Sequence, residues 1–525
     1  MKAVRNKRDL FFGLLMAMCV LCAGLQWLIS PDSLNMGCVA LVATSSAMVF
    51  AYLWRSDVTV NYPISSVAIL GQVITTQFAA LMAQTMAWTP LVELLRWPLM
   101  TFSVLALVQL LTVAAHWVYR HLAVTNAISE TLRQRMLIPI GALSVPPVHM
   151  VWVMALPGLY AMALGGGAAI GDVGGKALQA LNFLVYLPFL IPLYYRQYGN
   201  GYCNIQRHGP LLLMYVVVMM VVAIALNARQ LMAIGPVQIG LIFLIYALQD
   251  PKPITQRTVV KLGALVAVSA VAISMFADLS TAMVIVRDKR DTLKPKELVE
   301  ETVKTLGDRS RLKQYNLDVL DQVRYARYDE VYLLNPVIAR FSETKFHDNH
   351  IYFASIINER ERDELWSATL EKSLVILPQP MLDLFGSKVD KYELMYSFGD
   401  FYRYLQEGPD NTLGGYSIGS GYAHLIALVG MPWFPLCIVL LLMPTFVVLD
   451  AFARQAGKLE VAPVIMCWSW MIFLTALNGE SLVSRFGFYM RDLPQKLVLY
   501  VLVYGAVKYG FMLFKPSVRS DIRVR

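Results

Sequence analysis

The chain has 525 residues, of which 57% are hydrophobic and 15% charged, with mean hydropathy +0.53 and formal net charge +9. That is too apolar for an ordinary water-soluble protein of this length. The positive balance does not indicate nucleic-acid binding, because most of it sits in short loops between apolar runs, where it meets anionic lipid.

A helix needs about 20 apolar residues to cross the hydrocarbon core. In chain order, such runs fall at 9–29, 34–54, 65–88, 97–119, 136–164 and 177–195, then at 209–226, 231–248 and 260–283. After a long polar interruption they resume at 421–448, 461–477 and 497–514. This predicts about twelve transmembrane helices. The seventh and eighth are separated only by Asn227-Ala228-Arg229-Gln230 and form a tight hairpin. The first run is too long, and too weakly followed by a cleavage pattern, to be a removed signal peptide. Pro146-Pro147 should break or kink the fifth span.

Cytoplasmic loops are enriched in Lys and Arg. The amino-terminal tail carries Lys2, Arg5, Lys7 and Arg8, and alternate loops carry Arg55, Arg120, Arg133, Arg135, Arg196, Arg207, Lys252 and Arg257. Arg454, Lys458 and the basic carboxy-terminal tail continue the alternation. The pattern places both termini in the cytoplasm and the interruption outside. The six cysteines fall in spans or a cytoplasmic loop, and their spacing suggests neither a disulfide framework nor a metal site.

The interruption, residues 284–418, holds 19 of the 45 Lys+Arg and 23 of the 36 Asp+Glu. It reads as a folded, mostly helical extracytoplasmic cap between spans nine and ten, dividing the chain into 1–283, 284–418 and 419–525. Apolar residues recur at helical spacing over 294–327, and 335–363 reads as amphipathic helices lying on the membrane rim. Pro378 and Pro380 mark a turn-rich connection. The stretch GPDNTLGGYSIGSG, 408–421, is a glycine-rich loop that lets backbone approach a ligand closely, or a plain linker. GGGAAIGDVGGKA lacks the residues of a phosphate-binding loop and reads as an outer turn.

Four arginines stand out on the outer side: Arg229 in the hairpin, Arg340 in the cap, and Arg485 and Arg491 in ESLVSRFGFYMRDLPQK. Arginine keeps its charge and grips phosphate in a bidentate fork, which suits a lipid-diphosphate head. Snorkelling, or pairing with Glu480 or Asp492, is the plain alternative. Acid–base candidates are His347, Asp348 and His350 in KFHDNH, with Asp390, Asp400, His424 and Glu480. A metal site at HDNH lacks further ligands at a usable spacing, so no metal or cofactor is expected.

The segment LPQPMLDLFGSKVDKYELMYSFGDFYRYLQEGPDNTLGGYSIGSGYAHLIALVGMPWF, with LNPVIARFSE before it and LNGESLVSRFGFYM after it, resembles the O-antigen (oligosaccharide repeat unit) polymerases. The related O-antigen ligases share the topology. Aligned on Gly430, Tyr422 falls where the ligases have Tyr, but their His position is Gly419 here; Arg229 matches their arginine, with Ala233 in place of the Leu four residues on. Losing that His favours polymerase over ligase.

The resemblance implies a GT-C-like membrane glycosyltransferase in the bacterial cytoplasmic (inner) membrane, joining undecaprenyl-diphosphate-linked oligosaccharide repeats at the outer face. Its catalytic candidates are His347, His350 and Glu480. Its diphosphate- and glycan-binding candidates are Arg229, Arg340, Arg485, Arg491, Tyr416 and Tyr422. Expected partners are the polyprenyl-diphosphate-linked oligosaccharide and membrane lipid, with a chain-length regulator and a flippase in the same pathway. A ligase-type transferase and a transporter or flippase remain as rival readings. A transporter should show internal repeats and charges within its spans.

Overall fold

The computed structural model describes the chain except residues 1–5, 165–172, 227–228, 251, 290–291, 326–327, 334, 336–337, 378–381, 383, 385–390, 392, 409–412 and 515–525. The described residues are mostly helical. Their one sheet is the antiparallel hairpin of Ala453–Ala456 with Lys458–Val461, turning at Gly457 with φ +74°.

Eight described helices are long and apolar enough to cross a membrane: Lys7–Ile29, Ser33–Leu53, Pro63–Met86, Pro98–His121, Gly175–Gly201, Ile205–Ala225, Phe434–Ala451 and Leu482–Leu513. Val148–Ala163, Val237–Gln249 and Met275–Ile285 are shorter apolar helical stretches. The protein is therefore an all-α polytopic membrane protein. Where it departs from the expected spans, prolines and glycines explain the difference. The expected span 136–164 becomes helical as a whole only from Val148, directly after Pro146 and Pro147, because proline fixes φ and has no N–H to donate. The expected span 421–448 is two helices, Gly421–Val429 and Phe434–Ala451, parted at Gly430, whose φ of +77° a side chain resists.

The chain divides into two compact units. The first comprises Met1–Ser129, Ile245–Asp450 and Met471–Arg491; the second comprises Glu130–Leu244, Ala451–Trp470 and Asp492–Arg525. In the second, Gly158 lets the helix Val148–Ala163 cross the 3-10 helix Asn182–Leu190; a Cβ there would lie 2.4 Å from the Val185 nitrogen.

The first unit contains the whole cap and the first four candidate spans. Its membrane helices are tied by buried polar groups that satisfy one another, as a water-free interior requires. Gln26 donates to Thr85 Oγ1 at 3.1 Å and accepts from Asn35 Nδ2 at 3.1 Å. A second chain runs from Tyr52 OH to His116 Nδ1 (2.7 Å), from His116 Nε2 to Ser65 Oγ (2.9 Å), and from Ser65 Oγ to Asp450 Oδ2 (2.6 Å). Gly71 allows a backbone crossing: a Cβ would sit 1.8 Å from the Phe473 carbonyl oxygen.

Within the cap, the helices Pro295–Gly307 and Arg309–Tyr325 lead to a 3-10 turn at Ile338–Phe341 and the helices Thr344–Ile356, Glu359–Val375 and Phe398–Glu407. Asn358 with Glu361 and Ser397 with Asp400 form capping boxes that start the last two. Thr344–Ile356 departs from the rim-lying amphipathic helix expected of 335–363. It packs against Gly421–Val429 and Pro98–His121, and His347, Asp348, Asn349 and His350 are all buried. Polar residues survive there because each has a partner. Asp348 accepts from the Arg96 and Trp97 N–H groups and from Thr101 Oγ1, tying the segment that enters the helix Pro98–His121 to the cap. Lys345 pairs with Asp329 at 3.1 Å.

Candidate active site

The site begins with a polar run in an apolar helix. Gln72, Thr75, Thr76 and Gln77 are all buried within Pro63–Met86. At Ile74–Phe78 this helix widens into a π-turn, and the Ala79 N–H reaches back to the Ile74 carbonyl. In an α-helix that N–H would bond Thr75. The released Thr75 carbonyl instead accepts the Glu343 N–H at 2.8 Å, and the Thr76 carbonyl accepts Thr344 Oγ1 at 2.7 Å. The π-turn thus seats the start of the cap helix Thr344–Ile356, and with it the side chain of Glu343. Single π-turns of this kind often mark functional sites.

Around Glu343 the first unit gathers four further polar side chains. Asn478 Nδ2 donates to Glu343 Oε2 and to Thr75 Oγ1, each at 2.8 Å. The Tyr422 hydroxyl accepts from Gln72 Nε2 at 2.6 Å and donates in a fork to the Leu477 carbonyl (2.9 Å) and Asn478 Oδ1 (3.0 Å). Arg485 Nη2 donates to the Leu477 and Asn478 carbonyls, and its guanidinium lies 5.4 Å from the Tyr422 ring centroid. His347, one helical turn after Glu343, holds Nδ1 2.8 Å from Ser420 Oγ and Nε2 3.9 Å from Glu343 Oε2.

Glu343 keeps 22% of its side chain exposed. Its burial pushes the carboxyl up to about 7, against the Asn478 hydrogen bond, which favours the charged form. Burial, helped by His350 and Arg485, drives His347 down to about 3, so this imidazole is neutral near pH 7. His350 is lowered to about 4 by burial; its Nδ1 faces the Phe346 carbonyl at 2.7 Å and its ring meets Tyr402 edge-on. With Asn349 Nδ2 donating to the Asp329 carbonyl at 2.7 Å, the four polar side chains of HDNH serve four separate contacts.

The glycine-rich loop wraps a carboxylate. Asp400 accepts from the backbone N–H groups of Tyr416 and Ser417, each at 2.8 Å, and more distantly from Gly414 and Ser397. Burial raises its carboxyl, but these donors together outweigh that and hold it below the usual aspartate range. Tyr416 adopts φ +56°, a left-handed conformation uncommon for a bulky residue, and is 60% exposed. A Cβ on Gly419 would lie 2.5 Å from the Glu480 carbonyl oxygen, and Gly421 N–H bonds the Gly479 carbonyl at 3.0 Å. The loop is thereby laid against 478–480 with no room for a side chain at 419.

Glu480 itself is exposed. Lys372 is lowered to about 8 by burial, against the pull of Glu480 and Asp400; its Nζ donates to the Tyr396 carbonyl and lies 3.9 Å from that ring's centroid. His424 Nε2 meets Thr369 Oγ1 at 2.8 Å, inside the protein.

Of the residues singled out from sequence, His347, Tyr422 and Arg485 come together, with Glu480 on the neighbouring backbone. Arg340 is exposed on the 3-10 turn three residues before Glu343, and Arg491 is exposed in the π-turn Phe488–Asp492. Arg229 opens the helix Arg229–Gln249 in the second unit, and its side chain lies outside the described residues, as does Asp390. Sequence reasoning passed over Glu343, Asn478, Gln72 and Lys372. The available signal for two of them was the run QVITTQ, too polar for a lipid-facing helix, and a carboxylate three positions after an outlying arginine.

Fold and site together define a helical membrane protein whose cap helix is docked on a polar break in a membrane helix. Compared with known proteins, the chain matches no family model, no curated protein and no solved structure.

Proposed function

We propose that the protein is a polysaccharide polymerase, an inverting and metal-independent glycosyltransferase of the GT-C-like type. It joins undecaprenyl-diphosphate-linked oligosaccharide repeats at the outer face of the bacterial cytoplasmic membrane. In this reading the chain makes about twelve spans, with both termini in the cytoplasm and the cap in the periplasm. The donor's lipid diphosphate is held by outer arginines of the first unit, Arg485 beside Tyr422 and Arg340 on the turn before Glu343. They stabilise the charge that develops on the leaving diphosphate. An acceptor hydroxyl on a second lipid-linked repeat attacks the anomeric carbon, while the Asp400-anchored loop and its exposed Tyr416 pack on sugar.

The observation that carries this reading is the gathering of Arg485, Tyr422, His347, Asn478 and Glu343 beside that loop. A cation, hydrogen-bonding groups and a carboxyl stand together at a cap–membrane junction, where a lipid-linked sugar would present its diphosphate. The ligase alternative is disfavoured by Gly419. The position where the ligases carry a His faces the Glu480 carbonyl at a distance that admits no Cβ.

The test is reconstitution in lipid nanodiscs with polyprenyl-diphosphate-linked repeats from the protein's own pathway. A ladder of lengthened glycans is the expected product. Transfer of one glycan to a lipid core would indicate a ligase, and unchanged substrate would indicate transport.

A further inference from the structure

Glu343 stands apart from the other carboxylates near the loop by its neighbours, since Asn478, Tyr422, Arg485 and His347 gather around it. Asp348 is committed to three donors and Asp400 to four backbone N–H groups. Glu330 accepts from the Tyr328 hydroxyl and the Ile418 N–H, both at 2.9 Å and both on Oε1, so it too keeps one oxygen without a hydrogen-bond partner among the described residues, but it stands beside Arg403 rather than in the Asn478 cluster. Glu343 has one oxygen oriented by Asn478, while Oε1 has no hydrogen-bond partner among the described residues. The backbone bond to the π-turn fixes where it stands, and the remaining side-chain surface is open.

Resting on the polymerase reading, we propose that Glu343 is the general base of the transfer: its Oε1 takes the proton of the acceptor hydroxyl as that oxygen attacks the donor's anomeric carbon. The bond from the acceptor oxygen to that carbon forms as the bond from the carbon to the diphosphate oxygen breaks. The electron pair leaves on the diphosphate, the proton ends on Glu343, and the anomeric configuration inverts. Asn478 is a positioning residue that keeps the other oxygen turned away. His347 assists by staying neutral, so it does not lock the carboxylate in an ion pair.

The surroundings support a base that works near neutral pH. His347 and Lys345 lie on its own helix, and Lys345 is occupied by Asp329. The π-turn Ile74–Phe78 brings no titratable group. Tyr422 and Arg485 face the site across Asn478, and Arg340 stands on the preceding turn. A carboxyl held near 7 by burial is half ionised at neutral pH, which is where a general base is most effective.

The experiment is the nanodisc polymerisation assay run from pH 5.5 to 9 on the native protein, Glu343→Gln and Glu343→Asp. The native rate should rise with pH and level off above about 7, because only the ionised carboxyl accepts a proton. Glu343→Gln can still accept from Asn478, so melting temperature and the half-saturating donor concentration should stay within about twofold, while turnover falls by about 10²–10⁴-fold and its pH rise disappears. Glu343→Asp should recover part of the turnover. A ladder from the native protein with Glu343→Gln within about threefold of its rate, or with the same pH rise, would overturn the assignment and leave the polymerase reading standing. A native protein that makes no ladder at any pH would overturn both.

Discussion

Asp400 shows how chemistry read from sequence can be right about a group and silent about its use. It belongs among the acid–base candidates by residue type, yet in the fold it gathers the N–H groups of the loop that carries Tyr416. Only tertiary structure reveals that its lone pairs are taken; likewise, only tertiary structure leaves Glu343 with a free oxygen. Because the folded value of Asp400 lies below the ordinary 3.8, its stabilising contribution is present above that pH and is lost as pH falls through the folded value. Native melting temperature should therefore drop on acidification below about pH 4, and Asp400→Asn should be less stable at pH 7 by about 1.5–3 kcal/mol, with a shallower acid slope. Calorimetry on both proteins checks this. Gly419→Ala tests the loop crossing: its new Cβ would stand 2.5 Å from a backbone oxygen that cannot step aside. A loss of about 1–3 kcal/mol is expected, together with lowered turnover. Unchanged melting and activity would mean that the loop is not pressed against 478–480.

Helices were the most legible elements, because twenty apolar residues in a row have few other solutions. Pro146-Pro147 marked a real helix start, and the tract 294–327 did form the helices Pro295–Gly307 and Arg309–Tyr325. The helix Thr344–Ile356 was legible as a helix but not as a buried one, since the partners of Thr344, Asp348 and His347 lie 268, 252 and 73 positions away in the chain. The π-turn had no sequence signature beyond its polarity, because an extra residue in a helix is visible only when the hydrogen bonds are drawn. It supplies an element-scale prediction. Deleting Thr76 should convert Ile74–Phe78 to ordinary α-helix and return the Thr75 carbonyl to its own ladder. The cap helix then loses its seat, and turnover should fall by more than about tenfold while the protein still inserts. Proteolysis of the cap, read by gel, should quicken in that variant. Asp348→Ala should leave the Arg96 and Trp97 N–H groups and the Thr101 hydroxyl without their acceptor and cost about 1–3 kcal/mol in a thermal melt.

At the scale of the whole molecule, charge alternation between loops predicts a single orientation, with cap and site outside. Cysteine placed at exposed positions gives the direct check: Arg340→Cys and Tyr416→Cys should react with a membrane-impermeant maleimide added outside intact cells, and Arg55→Cys only after permeabilisation. Labelling of Arg55→Cys from outside would invert the topology and place the site on the wrong face for a periplasmic lipid-linked sugar. The chemistry itself is what composition and hydropathy leave open, because a polymerase, a ligase and a transporter share the same apolar frame and differ in a few side chains at one junction. They also differ in what is released. The decisive measurement counts free polyprenyl diphosphate against new glycosidic bonds in nanodiscs and reads the anomeric configuration of the new linkage by NMR. One diphosphate released per bond, with inversion, is the predicted result. Bonds formed with retention, or lipid-linked sugar crossing the membrane with its diphosphate bond intact, would contradict the account.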